Sequence, residues 1–428
     1  MQLIRRLGRR VRIAALAIVS ASLVTTGVVP RATAADDDEK PDKPEKAEKE
    51  KDKGGKKVEP PKDTSVKKAT FEMAAYNDSD HVSVVTPSIG ASIENITGGA
   101  SLRGHYLVDV VSAASVDIVS TASRRWEEVR QAGNLELEYK PHDFGLSLSG
   151  AVSSEPDYLS YGFGLGMTYD LDAKNTTLLA GYGYSHDTAG RGGTPFSVFA
   201  RDLSRTNFLG GWTQVIDKST VFGLGLDLVL ETGDQSKPYR YVPMFSPHEA
   251  PLVPAGASID YVTAHRLPER PLEQLPLSRH RFALTGRIAH RFDDSTIRLS
   301  ERLYDDTWSM VASTTDVRWI FDVGKRVALW PHGRFHAQSA VDFWQRAYIS
   351  GPAPGWDLPE FRTGDRELGP EWTATGGGGV KFFLGGDKDP TSWGIAVQGD
   401  VIYTSYLDDI YLTSRTAYLG SLIFEGSL

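Results

Sequence analysis

From about Lys68 onward, apolar and polar positions alternate with a period of two rather than 3.6. Within Val221 to Leu230, Phe222, Leu224, Leu226, Leu228 and Leu230 share one face, and Gly223, Gly225 and Asp227 share the other. Ser278 to Phe292 sets Phe282, Leu284, Ile288 and Phe292 against Arg281, Thr285, Arg287 and Arg291. Farther on, Trp393, Ile395, Val397, Val401 and Tyr403 alternate with Gly394, Ala396, Gln398, Asp400 and Thr404. A soluble sandwich would bury the apolar face as a core. Here the pattern recurs in nearly every segment at about 10 to 16 residues, lengths that suit a transmembrane β-barrel.

The alternation predicts sixteen strands, near 68–76, 81–96, 100–111, 126–140, 143–153, 158–170, 176–187, 202–216, 219–232, 278–292, 295–308, 311–323, 326–341, 371–384, 391–405 and 411–427. Every second connection is then tight: Thr97-Gly98-Gly99, Pro141-His142, 171–175, Asp217-Lys218, Asp293-Asp294, Gly324-Lys325 and 385–390. These residues have the backbone freedom or side-chain hydrogen bonding that hairpins need. The long connections, about 112–125, 188–201, 233–277 and 342–370, all fall between them. Outer-membrane barrels keep short turns on the periplasmic side and longer loops outside. The expected fold is therefore all-β: an antiparallel up-and-down transmembrane barrel with both termini in the periplasm. Closure is compulsory, because unpaired backbone groups in hydrocarbon cost several kcal/mol each.

Side chains near the strand ends fit the same picture. Lys140, Lys174, Lys218, Lys325 and Lys388 lie at or beside the tight turns, where water or headgroups solvate them. Tyr139, Phe144, Trp212, Phe222, Phe292, Phe321 and Trp393 near the turns, and Tyr106, Trp126, Trp308, Phe343, Trp344, Tyr406 and Tyr411 near the loops, are expected to form interfacial girdles.

Composition narrows the chemistry. Apolar residues make up 40% of the 428, Gly reaches 42 and Cys is absent. That excludes disulfide scaffolds, thiolate metal sites, iron-sulfur clusters and thiol catalysis. Arg5, Arg6, Arg9, Arg10 and Arg12, an apolar stretch from Ile13 to about Val29, and Ala32-Thr33-Ala34 predict an export signal over 1–34, cleaved before Ala35. That segment holds six Arg and no acid, so its removal takes the formal charge from −8 to −14. An exported acidic chain is a poor partner for nucleic acid. Residues 35–67 are nearly all Asp, Glu, Lys and Pro at their start, and are expected to form a disordered periplasmic tether before a barrel over 68–428.

If the faces alternate as assigned, Arg281, Arg287, Arg291, Arg298, Arg302, Arg318, Arg334, His332 and His336 line one wall of the lumen. Glu128, Glu136 and Glu138 stand on the opposite wall, and the two would set up a transverse field that biases ions and polar solutes. The alternative is that these residues pair with near neighbours such as Asp227, Asp316 and Asp400. Residues 233–277 carry eight prolines and are expected to remain loop, folding into the mouth as a constriction or lid. Asp109, Ser112, Ser115 and Asp117 form a rim motif whose oxygens suit calcium, though two Asp are few for such a site. Ser185-His186-Asp187 does not make a triad, since neighbours on a strand face opposite ways. Gly376–Gly379 are expected to bend the sheet or to let a bulky lumenal group rest on bare backbone.

The stretch from Leu107 to Ser123, with Tyr304-Asp305-Asp306-Thr307-Trp308, Pro238 to Val242 and Arg362 to Leu368, resembles an uncharacterised family of exported proteobacterial proteins, domain of unknown function 3570, over most of residues 70 to 428. The resemblance implies an outer-membrane barrel of a Gram-negative bacterium without an established activity. Barrels of that kind commonly end on an aromatic residue, whereas this chain ends Phe424-Glu425-Gly426-Ser427-Leu428, a weakened assembly signal. The expected function is a channel for small polar solutes or ions, with no enzymatic constellation and no cofactor. The alternative is a non-conducting barrel that scaffolds a partner. Expected partners are outer-membrane lipid, the barrel-assembly machinery and, through residues 35–67, a periplasmic protein.

Overall fold

The computed structural model describes residues 65–428 except 97, 114–125, 352–356, 386–392 and 428, with backbone alone for 112, 113 and 126–128. The export segment and most of the tether lie outside the described residues. The first strand begins at Val66, two residues before the periodicity placed it.

Sixteen long strands form one closed ring. In chain order they are β1 (Val66–Asp78), β2 (Val82–Glu94), β3 (Ala100–Ala113), β4 (Trp126–Tyr139), β5 (Phe144–Glu155), β6 (Tyr158–Leu171), β7 (Thr176–Ala189), β8 (Arg201–Val215), β9 (Thr220–Gly233), β11 (Ser278–Arg291), β12 (Ser295–Asp306), β13 (Val311–Val323), β14 (Val327–Gln338), β16 (Glu371–Phe383), β17 (Gly394–Tyr406) and β18 (Ser414–Ser427). All pair antiparallel with their neighbours, and β1 closes on β18 with Phe71 opposite Phe424. Two short strands, β10 (Met244–Phe245) and β15 (Tyr348–Ile349), and helix α1 (Ile259–His265) lie in the long connections.

The pleat sorts the faces as the sequence does. Leu224, Leu226, Phe282, Ile288, Val397, Val401 and Tyr403 stand exposed on the outside, where hydrocarbon solvates them. Ala283, Thr285, Thr404 and Ala396 are buried inside. The tight turns need unusual backbone: Gly99 sits at φ 109, and a Cβ there would run into the Lys140 carbonyl. Proline interrupts the ladder where it enters a strand. Pro87 and Pro331 each coincide with a gap in pairing, on the β3 side and the β13 side respectively, because neither carries an N–H.

Candidate functional site

The described residues of the connections 234–277 and 339–370 do not lie idle outside the ring. Their prolines keep most of the backbone out of the sheet, and apolar residues gather instead. β10 pairs in parallel with β15, Met244 beside Tyr348 and Phe245 beside Ile349. Phe245, Val253, Ala257 and Val262 cluster with Ile410 of the β17–β18 connection, so residues 233–277 form a folded unit with a short helix rather than remaining loop throughout. Burial pushes the Tyr348 hydroxyl up to about 12. That group donates to the Phe343 carbonyl at 2.9 Å and accepts the Thr363 N–H at 3.0 Å.

The underside of this unit packs on the barrel wall. Leu275, Val341 and Leu368 form one cluster with Val229, Ala283, Tyr304 and Ala312, inward residues of β9, β11, β12 and β13. Polar ties run to the rim on several sides. Tyr239 Oη donates to Asp157 Oδ2 at 2.6 Å and accepts the Gly192 N–H. Arg366 donates to Asp80 Oδ2 at 2.6 Å, Arg201 to the Ser236 carbonyl at 2.9 Å, and Gln338 to the Glu367 and Gly369 carbonyls. The Ala257 N–H reaches the Ile410 carbonyl at 2.7 Å. Within the unit Arg240 binds Asp365 at 2.6 Å; burial raises the Asp365 carboxyl, and the guanidinium more than offsets this and holds it below the usual carboxylate range. The two connections therefore make a lid anchored from β1–β2 round to β17–β18. Trp308 and Tyr406 are buried, Phe343 and Trp344 pack against the Trp308 cluster, and Tyr411 packs against the Phe245 cluster. These five aromatics build rim and lid instead of a girdle, because the loop side has a core of its own to fill.

Beneath the lid, buried charges are paired. Glu231, 1% exposed, holds Arg205 at 3.0 Å and Arg281 at 2.9 Å, and Arg205 also binds Asp187. Arg279 is clamped by Asp306 and lies over the Trp308 ring at 4.2 Å. Arg302 binds Asp227 at 2.8 Å, and Arg291 binds Asp322 at 2.7 Å. His332 bridges Asp400 at 2.8 Å and Asp316 at 3.0 Å, while His336 bonds Thr314 at 2.7 Å and Gln338 at 3.2 Å. Asp227, Asp316 and Asp400 thus take the neighbouring roles foreseen for them.

The bare backbone of β16 permits the bridge from His332 to Asp400. A Cβ on Gly377 would strike Asp400, which passes over that strand to reach His332, and one on Gly379 would strike the Trp330 ring. On the opposite wall Glu136 and Glu138 face Arg103 of β3, at 3.8 and 3.1 Å, a neutralising partner that strand pairing supplies and periodicity alone did not. The side chain of Glu128 lies outside the described residues. Of the cationic wall, Arg287, Arg298, Arg318 and Arg334 make no hydrogen bond or ion pair with the described residues.

The remaining motifs separate. Asp109 accepts from Thr86 at 2.5 Å and faces Arg130 at 3.7 Å, so it belongs to the β2–β4 wall. The side chain of Ser112 and all of Ser115 and Asp117 lie outside the described residues. Ser185 and Asp187 face inward, whereas His186 faces outward against Ser204 at 3.1 Å. Glu301, seventh of the twelve in β12, places a carboxylate midway along the apolar outer face and accepts from Ser313 at 2.6 Å and Thr315 at 2.5 Å, both also outward. A side-by-side comparison of outer faces, strand by strand, could have found it.

A closed ring of sixteen strands with an apolar exterior and a charged interior is an integral barrel of the Gram-negative outer membrane. The chain belongs to the family of proteins of unknown function DUF3570, whose model matches residues 10–384, beginning well before the first strand and ending at Leu384. No curated protein matches it. Among solved structures it is similar to the siderophore receptor PirA from Acinetobacter baumannii (12% identity, TM-score 0.39, 80% of this chain and 53% of that one). It is also similar to OprD from Pseudomonas aeruginosa (7%, TM-score 0.39, 85% and 96%) and CdiB from Acinetobacter baumannii (9%, TM-score 0.45, 83% and 60%). The chain thus spans about half the length of the siderophore receptor.

Proposed function

We propose that the protein is an outer-membrane channel for small polar solutes or ions whose external mouth is held shut by the lid of residues 234–277 and 339–370. The observation that carries this reading is a lid tied to the rim over a lumen whose wall still presents exposed charged side chains. A barrel meant only to span would fill its interior with paired or apolar groups. Beyond its apolar contact with the wall, the lid is joined to the rim by single hydrogen bonds and ion pairs, ties that can be released one at a time. Its internal ion pair, Arg240 with Asp365, which joins the two connections, and its tie to the rim, Arg366 with Asp80, are points at which a partner or a solute would act.

The same lid motivates the second reading, a non-conducting barrel that presents a folded outer surface to a partner. Single-channel recording in planar bilayers separates them. Protein with residues 237–275 replaced by a short Gly-Ser linker, its folding checked by heat-modifiable gel mobility, is expected to open steadily where the intact protein is mostly closed. Silence from both correctly folded proteins overturns the channel reading and favours the scaffold.

A further inference from the structure

The described lysines and arginines that point inward from the strands are nearly all satisfied within the fold: paired with acids, or, for Arg415, laid over the Tyr406 ring at 5.9 Å. Four are not. Arg287, Arg298, Arg318 and Arg334 lie on the consecutive strands β11, β12, β13 and β14, all on the lumenal face. Arg298 stands directly opposite Arg318, and Arg318 directly opposite His332. Arg287 faces Ser300, two residues from Arg298, and Arg334 faces Asp316, two residues from Arg318. Asp316 nevertheless gives its carboxylate to His332. Four neighbouring strands span roughly 14 Å, so the guanidinium groups share one patch. Arg287, Arg298 and Arg334 are exposed to the lumen, Arg287 and Arg298 in the half of their strands nearer the tight turns.

Like charges set directly across a ladder destabilise a sheet. A fold that satisfies its other cations leaves this set open, and each guanidinium offers a planar fork of donors that matches a carboxylate or a phosphate. We infer that these four arginines form a binding subsite for a multivalent oxyanion, one molecule bridging at least two of them. The inference rests on the channel reading only for the route by which the anion arrives; the subsite itself is a property of the wall.

The test uses the folded full chain in detergent at low ionic strength, titrated calorimetrically with pyrophosphate and, separately, with citrate. At least one is expected to bind saturably below millimolar concentration. Binding of pyrophosphate alone assigns phosphates, of citrate alone carboxylates, and of both a shared oxyanion site. The double variant Arg298→Gln with Arg318→Gln is expected to bind at least tenfold more weakly, and Arg291→Gln, whose arginine belongs to Asp322, like the parent. Arg298→Lys, which keeps the charge but not the fork, is expected to fall between them, and the heat-modifiable mobility of each variant reports its folding. No saturable binding by the parent, or an equal loss in Arg291→Gln, overturns the subsite. Binding lost while the lid-excised protein still conducts ends the subsite and leaves the channel. Binding retained in a protein that never conducts ends the channel and leaves the subsite.

Discussion

The arginines of one wall divide by their access to water. Arg205, Arg279 and Arg281 keep only a small part of the side chain exposed, and each is held by at least one carboxylate. Arg287, Arg298 and Arg334 of the same wall stand exposed and have none. Water makes the difference. A guanidinium taken out of water needs a partner to offset its desolvation, whereas one facing a wet lumen keeps its hydration and stays available. The shielded set therefore fixes structure, and the exposed set is free to act.

Substitutions sharpen that division. The largest effect is expected from Glu231→Ala, which leaves the largely shielded Arg281 without the carboxylate it holds at 2.9 Å. It should cost about 3–5 kcal/mol, read from denaturant unfolding of the barrel in lipid vesicles. A loss no larger than that of an exposed charge would show that the shielded set is hydrated after all. Lipid supplies a third setting for charge. Glu301→Leu removes a carboxylate from the middle of the outer belt and is expected to stabilise the barrel by about 1–2 kcal/mol in the same assay. Destabilisation there would mean that this patch meets protein or a polar ligand instead of hydrocarbon.

A smaller gain is expected from Arg298→Gln. Relieving the repulsion across from Arg318 should add a few tenths of a kcal/mol, and a marked loss would show that Arg298 has a structural role. The smallest effect concerns the lid. Asp365 is depressed in the folded lid, so its contribution to stability is complete above the ordinary aspartate value of about 4 and fades as pH falls through its lower folded value. Channel opening should therefore increase on acidification below about pH 4 and not near neutrality. In Asp365→Asn that acid-induced increase should disappear, and its persistence would assign the transition to another group.

Much of this is legible in the chain alone. A period of two assigns every strand residue to a face, so the number of strands, the inward position of Arg298 and Glu136, and the outward position of His186 all follow from it. The use of Gly379 as bare backbone under a bulky group also followed, although Trp330 as that group did not. Pairing partners need register, which periodicity does not provide, so Arg103 was missed as the partner of Glu138. For the same reason the four partnerless arginines could not be told from the paired ones. The lid was legible only as a proline-rich insertion. Its structure depends on contacts such as Arg366 with Asp80, 286 residues apart, that leave no local pattern in the chain.

The account turns on a cationic, water-exposed wall lying beneath a removable lid. Reversal potential under a potassium chloride gradient, recorded from lid-excised protein in a planar bilayer, tests it most directly. The expected result is a clear preference for the anion that shrinks toward neutrality when Arg298 and Arg318 are both changed to Ala. A cation preference, or a preference that the two substitutions leave unmoved, would contradict it.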